Sequence, residues 1–288
     1  MVGIAWVVNL MKNKFFYVVL FFTIIFLFSL LYLFNPFEEE EINITSFSIS
    51  GKSFTLPSPI HSFLYLSENG FEWKNLGGNG ADVVFSFPSQ IALQLGLRAS
   101  DGVVFLFTKE LDSAWSARED VLRYSEKLGI DNKVKLSIAK LDTAFLKGSD
   151  KEDLLDAIIN IEVSMENSLR KKGRDDLSVL IEIGSWIGGL KMVTNGMNLN
   201  FREEHTEVLR QSHISELSVE IIKEIIKRTE DENEKKFLNR FLEYLINVDL
   251  IINSYENNRI TKESIQNLSL LANEIKLFLD TPHDLKKP

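Results

Sequence analysis

Catalysis needs side chains that move protons, hold metals or attack carbon, and this 288-residue chain has few of them. There are four histidines, His61, His205, His213 and His283, and no cysteine. His205 and His213 are eight residues apart, roughly on one helix face, with Glu204 adjacent. A metal centre would need more, such as H-E-x-x-H or a Glu-x-x-His pair repeated on a second helix. Neither pattern occurs, so the histidines read as surface or partly exposed groups and no metal or cofactor is assigned. Without cysteine there is no thiol nucleophile, disulfide framework, Cys-ligated zinc or iron–sulfur cluster. No G-x-S-x-G elbow, dinucleotide fingerprint or P-loop is present, and no catalytic residue is assigned.

Three other features stand out. Gly184, Gly188 and Gly189 lie with Trp186 in an apolar stretch that reads as helix, where each glycine costs about 1 kcal/mol relative to alanine. Close approach of a neighbouring helix would explain them, and so would room for a ligand beside Trp186. Glu182 lies between Ile181 and Ile183. Burial of that turn would force its carboxyl to find a cation or stay protonated, whereas an exposed face would ask nothing of it. Asp101 either caps a helix start or faces the bundle interior, and capping is the ordinary use. The site expected is a ligand-binding crevice of Asp101, Glu182, Trp186, Gly188 and Gly189. The competing enzymatic reading is a metal-assisted or carboxylate-based hydrolase using Asp101, Glu182 and His205. A third is a scaffold subunit of a membrane assembly.

The elements that must position these residues are almost all helical. Thr45–Ser50 alternates apolar and polar residues and predicts one short strand, followed by a turn at Gly51. Ser58 and Pro59 suit a helix start before Ile60–Ser67, and Leu76–Gly80 reads as a flexible loop. Expected helices then run to about Leu97, from Ser100 to Leu128, from Asp131 to Lys147 and from Ser149 or Asp150 to near Gly173. Others run from Asp175 toward Asn195, and over Phe201–Arg228, Glu232–Tyr255 and Thr261–Asp280. Glycines 129, 148 and 173 mark three of the stops. The fold class predicted is an all-α, multi-helix bundle of about seven or eight helices behind one N-terminal transmembrane helix.

That transmembrane helix is the clearest single feature. Residues 15–37 hold no charged side chain over 23 residues. As a helix they span about 34 Å, enough to cross a hydrocarbon core of about 30 Å. A buried core helix is the alternative, but soluble helices rarely lack a polar face over that length. Lys12 and Lys14 precede the run, so the N-terminus is expected in the cytoplasm and the body on the exported side, periplasmic or extracellular. No A-x-A-like cleavage site follows, which favours an uncleaved signal anchor. Met11-Lys12-Asn13-Lys14 reads as the n-region of an export signal, making Met11 a candidate start. Domain bounds follow: 1–14 cytoplasmic, 15–37 anchor, 38–80 linker and first helix, 81–281 bundle, 282–288 tail. The chain's net charge of −9 divides into +2 for residues 1–37 and −11 for the rest. So acidic a body argues against nucleic acid as partner. The expected partners are the lipid bilayer through residues 15–37 and an unknown protein or small molecule.

Three segments, Leu56-Pro57-Ser58-Pro59, Leu95–Asp101 and Gly184-Ser185-Trp186-Ile187, together resemble a group of exported, membrane-attached, all-helical bacterial proteins without assigned activity. That group carries a Pro-Ser-Pro start, an L-G-x-x-G-A-D element and a G-G-W-I-E helix, in this order and spacing over about residues 55–200. The resemblance implies that Gly96, Asp101 and Trp186 occupy recurrent positions. Arg98 stands where the group tends to have an aromatic residue, and Gly188 where it has glutamate. The loss of that glutamate favours a structural or interaction role over catalysis.

Overall fold

The computed structural model describes residues 44–49, 52–57, 60–71, 73, 85–255 and 259–283. The expected anchor at 15–37, the Ser58–Pro59 helix start, the 76–80 loop and the last five residues lie outside them. The chain divides into two units, Met1–Asn43 and Ile44–Pro288, and the second is the body described below.

The body is an all-α bundle entered through a β-hairpin. Strands β1 (Ile44–Ile49) and β2 (Lys52–Pro57) pair antiparallel, from Ile44 opposite Pro57 to Ile49 opposite Lys52. Two strands therefore stand where alternation predicted one. Nine α-helices follow among the described residues, against the seven or eight expected: α1 (Ile60–Glu68), α2 (Pro88–Thr108), α3 (Leu111–Lys127), α4 (Asn132–Leu146), α5 (Lys151–Arg170), α6 (Asp175–Leu199), α7 (Ser212–Arg228), α8 (Glu232–Asn253) and α9 (Lys262–Asp280).

Two helix boundaries differ from expectation for local reasons. No break falls between Leu97 and Ser100, and α2 instead ends at Lys109, whose φ is 61°. The amides of Lys109 and Glu110 turn back to the carbonyls of Leu106 and Phe105, at 3.3 and 3.0 Å. This is a Schellman closure built without glycine, so no residue type marks the stop. The expected helix over Phe201–Arg228 is divided into a short 3-10 helix, Glu203–Leu209, and α7. Three other helix starts carry side-chain caps. Asp150 accepts from the amide of Asp153 at 3.0 Å, Asp231 from those of Asn233 and Glu234, and Thr261 from that of Ser264 at 3.2 Å. Asp131 makes no such cap bond and pairs with Lys172 Nζ at 2.8 Å.

The core is built around α6. Nearly every residue from Leu177 to Met197 is buried, because α2, α5 and α9 pack against it on different sides. A helix apolar all round belongs either in a core or in a membrane. Both α2 and α6 are long and apolar enough to cross a membrane by length and composition, and both lie inside this body, α6 almost completely. The end of α9 closes on the start of α2. There Gln90 Nε2 donates to the carbonyls of Leu279 and Thr281, and Gln94 Nε2 to Asp280 Oδ1 at 2.7 Å.

Candidate functional site

Residue spacing gives α6 two working faces. Gly184, Gly188 and Lys191 recur at i, i+4, i+7 and form one stripe, and Glu182, Trp186 and Gly189 form the other.

The first stripe meets α2. A methyl group on Gly184 would stand 2.1 Å from the carbonyl oxygen of Leu93, and one on Gly96 of α2 only 1.9 Å from that of Ile181. One on Gly188 would stand 2.9 Å from Ser100 Cβ. The backbones thus approach too closely for any side chain at the first two positions. Two hydroxyls fasten the crossing: Ser100 Oγ donates to the Ser185 carbonyl at 2.7 Å, and Ser185 Oγ to the Gly96 carbonyl at 3.1 Å. At the end of the stripe, Lys191 Nζ donates to Asp101 Oδ1 at 2.8 Å, with Asp101 fully buried. Arg98 Nη1 donates to the other oxygen of Asp101 at 3.0 Å, while its Nε donates to Asp120 Oδ2 of α3 at 2.8 Å. Asp120 also pairs with Arg123. Asp101 is therefore an interior ion-pair partner in mid-helix, and Arg98 is the side chain that links α2 to α3.

The second stripe faces a cavity of about 310 Å³, near the lower end of the usual size for small-molecule sites, about 300–1,000 Å³. Its walls are mostly apolar and come from α1 to α7. Trp186 lies along it, with its indole nitrogen donating to Gln211 Oε1 at 2.7 Å. Gln211 in turn donates to Ser62 Oγ at 3.2 Å, so a polar relay fixes the tryptophan ring. Gly189, half-buried, keeps the wall beside the ring open.

Glu182 is the charged residue that α6 contributes to this wall. It is 9 % exposed and has no hydrogen-bond or ion-pair partner among the described residues. Burial, and then the carboxylates of Glu162 and Glu166 on α5, push its carboxyl well above the usual carboxylate range.

The cavity thus gathers Glu182, Trp186 and Gly189. Asp101 and Gly188 lie at the α2–α6 crossing and are not among its lining. His205 is elsewhere again. Expected near the surface, it is 1 % exposed, because the 3-10 helix turns it inward against Phe71 with Nε2 3.0 Å from the Asn69 carbonyl oxygen. Asp101, Glu182 and His205 therefore stand in three separate environments. Among the described residues no group of three or more His, Asp or Glu is placed to hold a metal ion. Sequence reasoning missed Glu162 and Glu166, an i, i+4 pair on α5 whose place in the cavity lining only the tertiary packing reveals. It also missed Lys191, whose signal was a single cation inside an apolar run.

No family model, curated protein or solved structure matches the chain. The site is accordingly read from its own geometry.

Proposed function

We propose that the body is a binding domain for a small, mainly apolar molecule, held at the exported face of a membrane by the helix of residues 15–37. The observation that carries this is the cavity beside Trp186, about 310 Å³ of mostly apolar wall with one unpaired carboxyl inside. A well-packed interior leaves few voids larger than a water molecule. An apolar pocket of this size, partly open to solvent, leaves its lining short of packing contacts. Occupation by a ligand would restore them. The aromatic and aliphatic lining supplies area, and the few polar groups supply orientation.

Binding to the native state alone raises stability as RT ln(1 + [L]/Kd), about 2.7 kcal/mol at a hundredfold excess over Kd. For a body of this size that corresponds to a rise in Tm of about 5–10 °C. A thermal-shift screen of the full chain in detergent, against small apolar and aromatic compounds, should find such shifts. Ala114→Phe, which places a ring in the α3 wall, should abolish them while the variant remains folded. If no compound shifts the Tm, or if the shifts persist in the filled variant, this reading fails.

A further inference from the structure

The face of α6 that carries Glu182 carries a second unpartnered group. Ser178 is 3 % exposed and lines the same cavity, and its hydroxyl has no hydrogen-bond partner among the described residues. It lies four residues before Glu182, and side chains at that spacing are neighbours on a helix, with Cβ atoms about 5–6 Å apart. Buried polar groups are hydrogen-bonded as a rule, and leaving one unpartnered is costly. Two such groups side by side on a cavity wall point to a partner supplied from outside the chain. A ligand that takes this space must supply those bonds or lose affinity. The other polar groups nearby are already committed. Ser100 and Ser185 bond across the α2–α6 crossing, and the Trp186 indole bonds to Gln211.

The charges of the lining are engaged too. Arg118 Nε and Nη2 hold the Asp142 carboxylate at 2.6–2.9 Å, Glu166 pairs with Arg170, and Glu162 is engaged as well. A ligand carboxylate would find no uncommitted cation among these residues, and a bare charge is costly to bury. An ammonium would need Glu182 to ionise, which burial and the carboxylates of Glu162 and Glu166 oppose. The wall is therefore suited to an uncharged group. A hydroxyl both donates and accepts, so it can accept from Ser178 and bond Glu182 in either protonation state. A carbonyl or ether oxygen only accepts, and would depend on Glu182 holding a proton.

Resting on the binding reading above, we propose that the cavity takes an uncharged alcohol, an apolar body bearing a hydroxyl, whose oxygen sits between Ser178 and Glu182. The spacing of the two side chains leaves room for one oxygen bonded to both at about 2.8 Å. Trp186, one turn beyond Glu182 on the same face, then flanks the apolar body next to the hydroxyl.

Four probes of nearly equal shape separate the possibilities: phenylbutanol, phenylbutylamine, phenylbutyrate and pentylbenzene, which has a methyl group where the first has its hydroxyl. Calorimetry on the full chain in nanodiscs near pH 7, corrected for uptake by empty nanodiscs, should find the alcohol binding at least about tenfold more tightly than the amine or the carboxylate. Ser178→Ala and Glu182→Leu should each weaken alcohol binding about three- to tenfold and leave pentylbenzene binding within about twofold. Glu182→Gln, which keeps a donor and an acceptor on the wall, should retain alcohol binding. The comparison on the unaltered chain needs no variant to fold, and alanine at 178 is the better helix former. Amine or carboxylate binding as tight as that of the alcohol, or variants that weaken alcohol and hydrocarbon alike, overturn the hydroxyl assignment and leave the binding reading standing. Failure of all four to bind removes the cavity reading and the hydroxyl with it.

Discussion

At the scale of single residues, the costliest object in the molecule is the ion cluster around Asp101. Its carboxylate is fully buried and bonded to Lys191, itself 2 % exposed, and to Arg98. Desolvating two charges consumes most of what their attraction returns, so such a pair adds little net stability while intact. Breaking it is another matter, because the surviving charge stays buried without its partner. Lys191→Met should cost about 3–5 kcal/mol, measured by denaturant unfolding. Pairing it with Asp101→Leu should recover a large part of that loss, since the second change removes the stranded anion and leaves Arg98 with Asp120. A Lys191→Met variant within about 1 kcal/mol of the parent would show that the pair is solvated and not an interior lock. The sequence marked Asp101 as notable but suggested a cap, since aspartate near a helix start usually serves there. Its true partner is 90 residues away, a distance that local pattern does not reach. Glu182, by contrast, was readable as either buried or exposed, and the structure buries it without an ion-pair partner, which raises its carboxyl above the usual carboxylate range.

At the scale of elements, the body depends on how closely α2 and α6 cross. Gly96 and Gly184 are each placed where a methyl group would stand about 2 Å from a backbone oxygen of the other helix. Backbone cannot move aside as a flexible side chain can. Gly184→Ala and Gly96→Ala should therefore each cost about 3 kcal/mol or more, the upper end of overpacking effects. Gly102 is the internal control. It lies on α2, its added methyl would meet only Ala117 Cβ at 3.4 Å, and alanine is the better helix former by about 1 kcal/mol. Gly102→Ala should leave Tm unchanged or raise it. If all three variants behave alike, the glycines are not there for the crossing. Two explanations stood open for the α6 glycines, helix contact and ligand space, and the stripes divide them: Gly184 and Gly188 face α2, while Gly189 faces the cavity. Helix ends were readable wherever glycine supplied the turn, as at Gly129 and Gly148 with φ of 69° and 70°. They were unreadable at Lys109, because a lysine in the same left-handed turn carries no compositional mark.

At the scale of the whole molecule, the proposed anchor at residues 15–37 can be tested directly. Its −11 charge gives the body no net electrostatic attraction to an anionic lipid surface. Absence of cysteine leaves no residue to carry a thioether or thioester lipid. We propose the charge-free run of residues 15–37 as the attachment, with Lys12 and Lys14 setting its direction. A chain without cysteine is also ready-made for testing this, because each introduced thiol is unique. Lys133→Cys, on an exposed position of α4, should react with a membrane-impermeant maleimide in intact spheroplasts. Asn13→Cys, before the anchor, should react only after the membrane is permeabilised. Deleting residues 1–37 should move the body from the membrane to the soluble fraction, with no second attachment to hold it. The reverse labelling pattern would place the cavity in the cytoplasm and make its ligand an intracellular one. Retention of the shortened chain at the membrane would mean that a surface of the body itself binds lipid or a membrane partner, and the cavity's entrance would then have to be sought on that side.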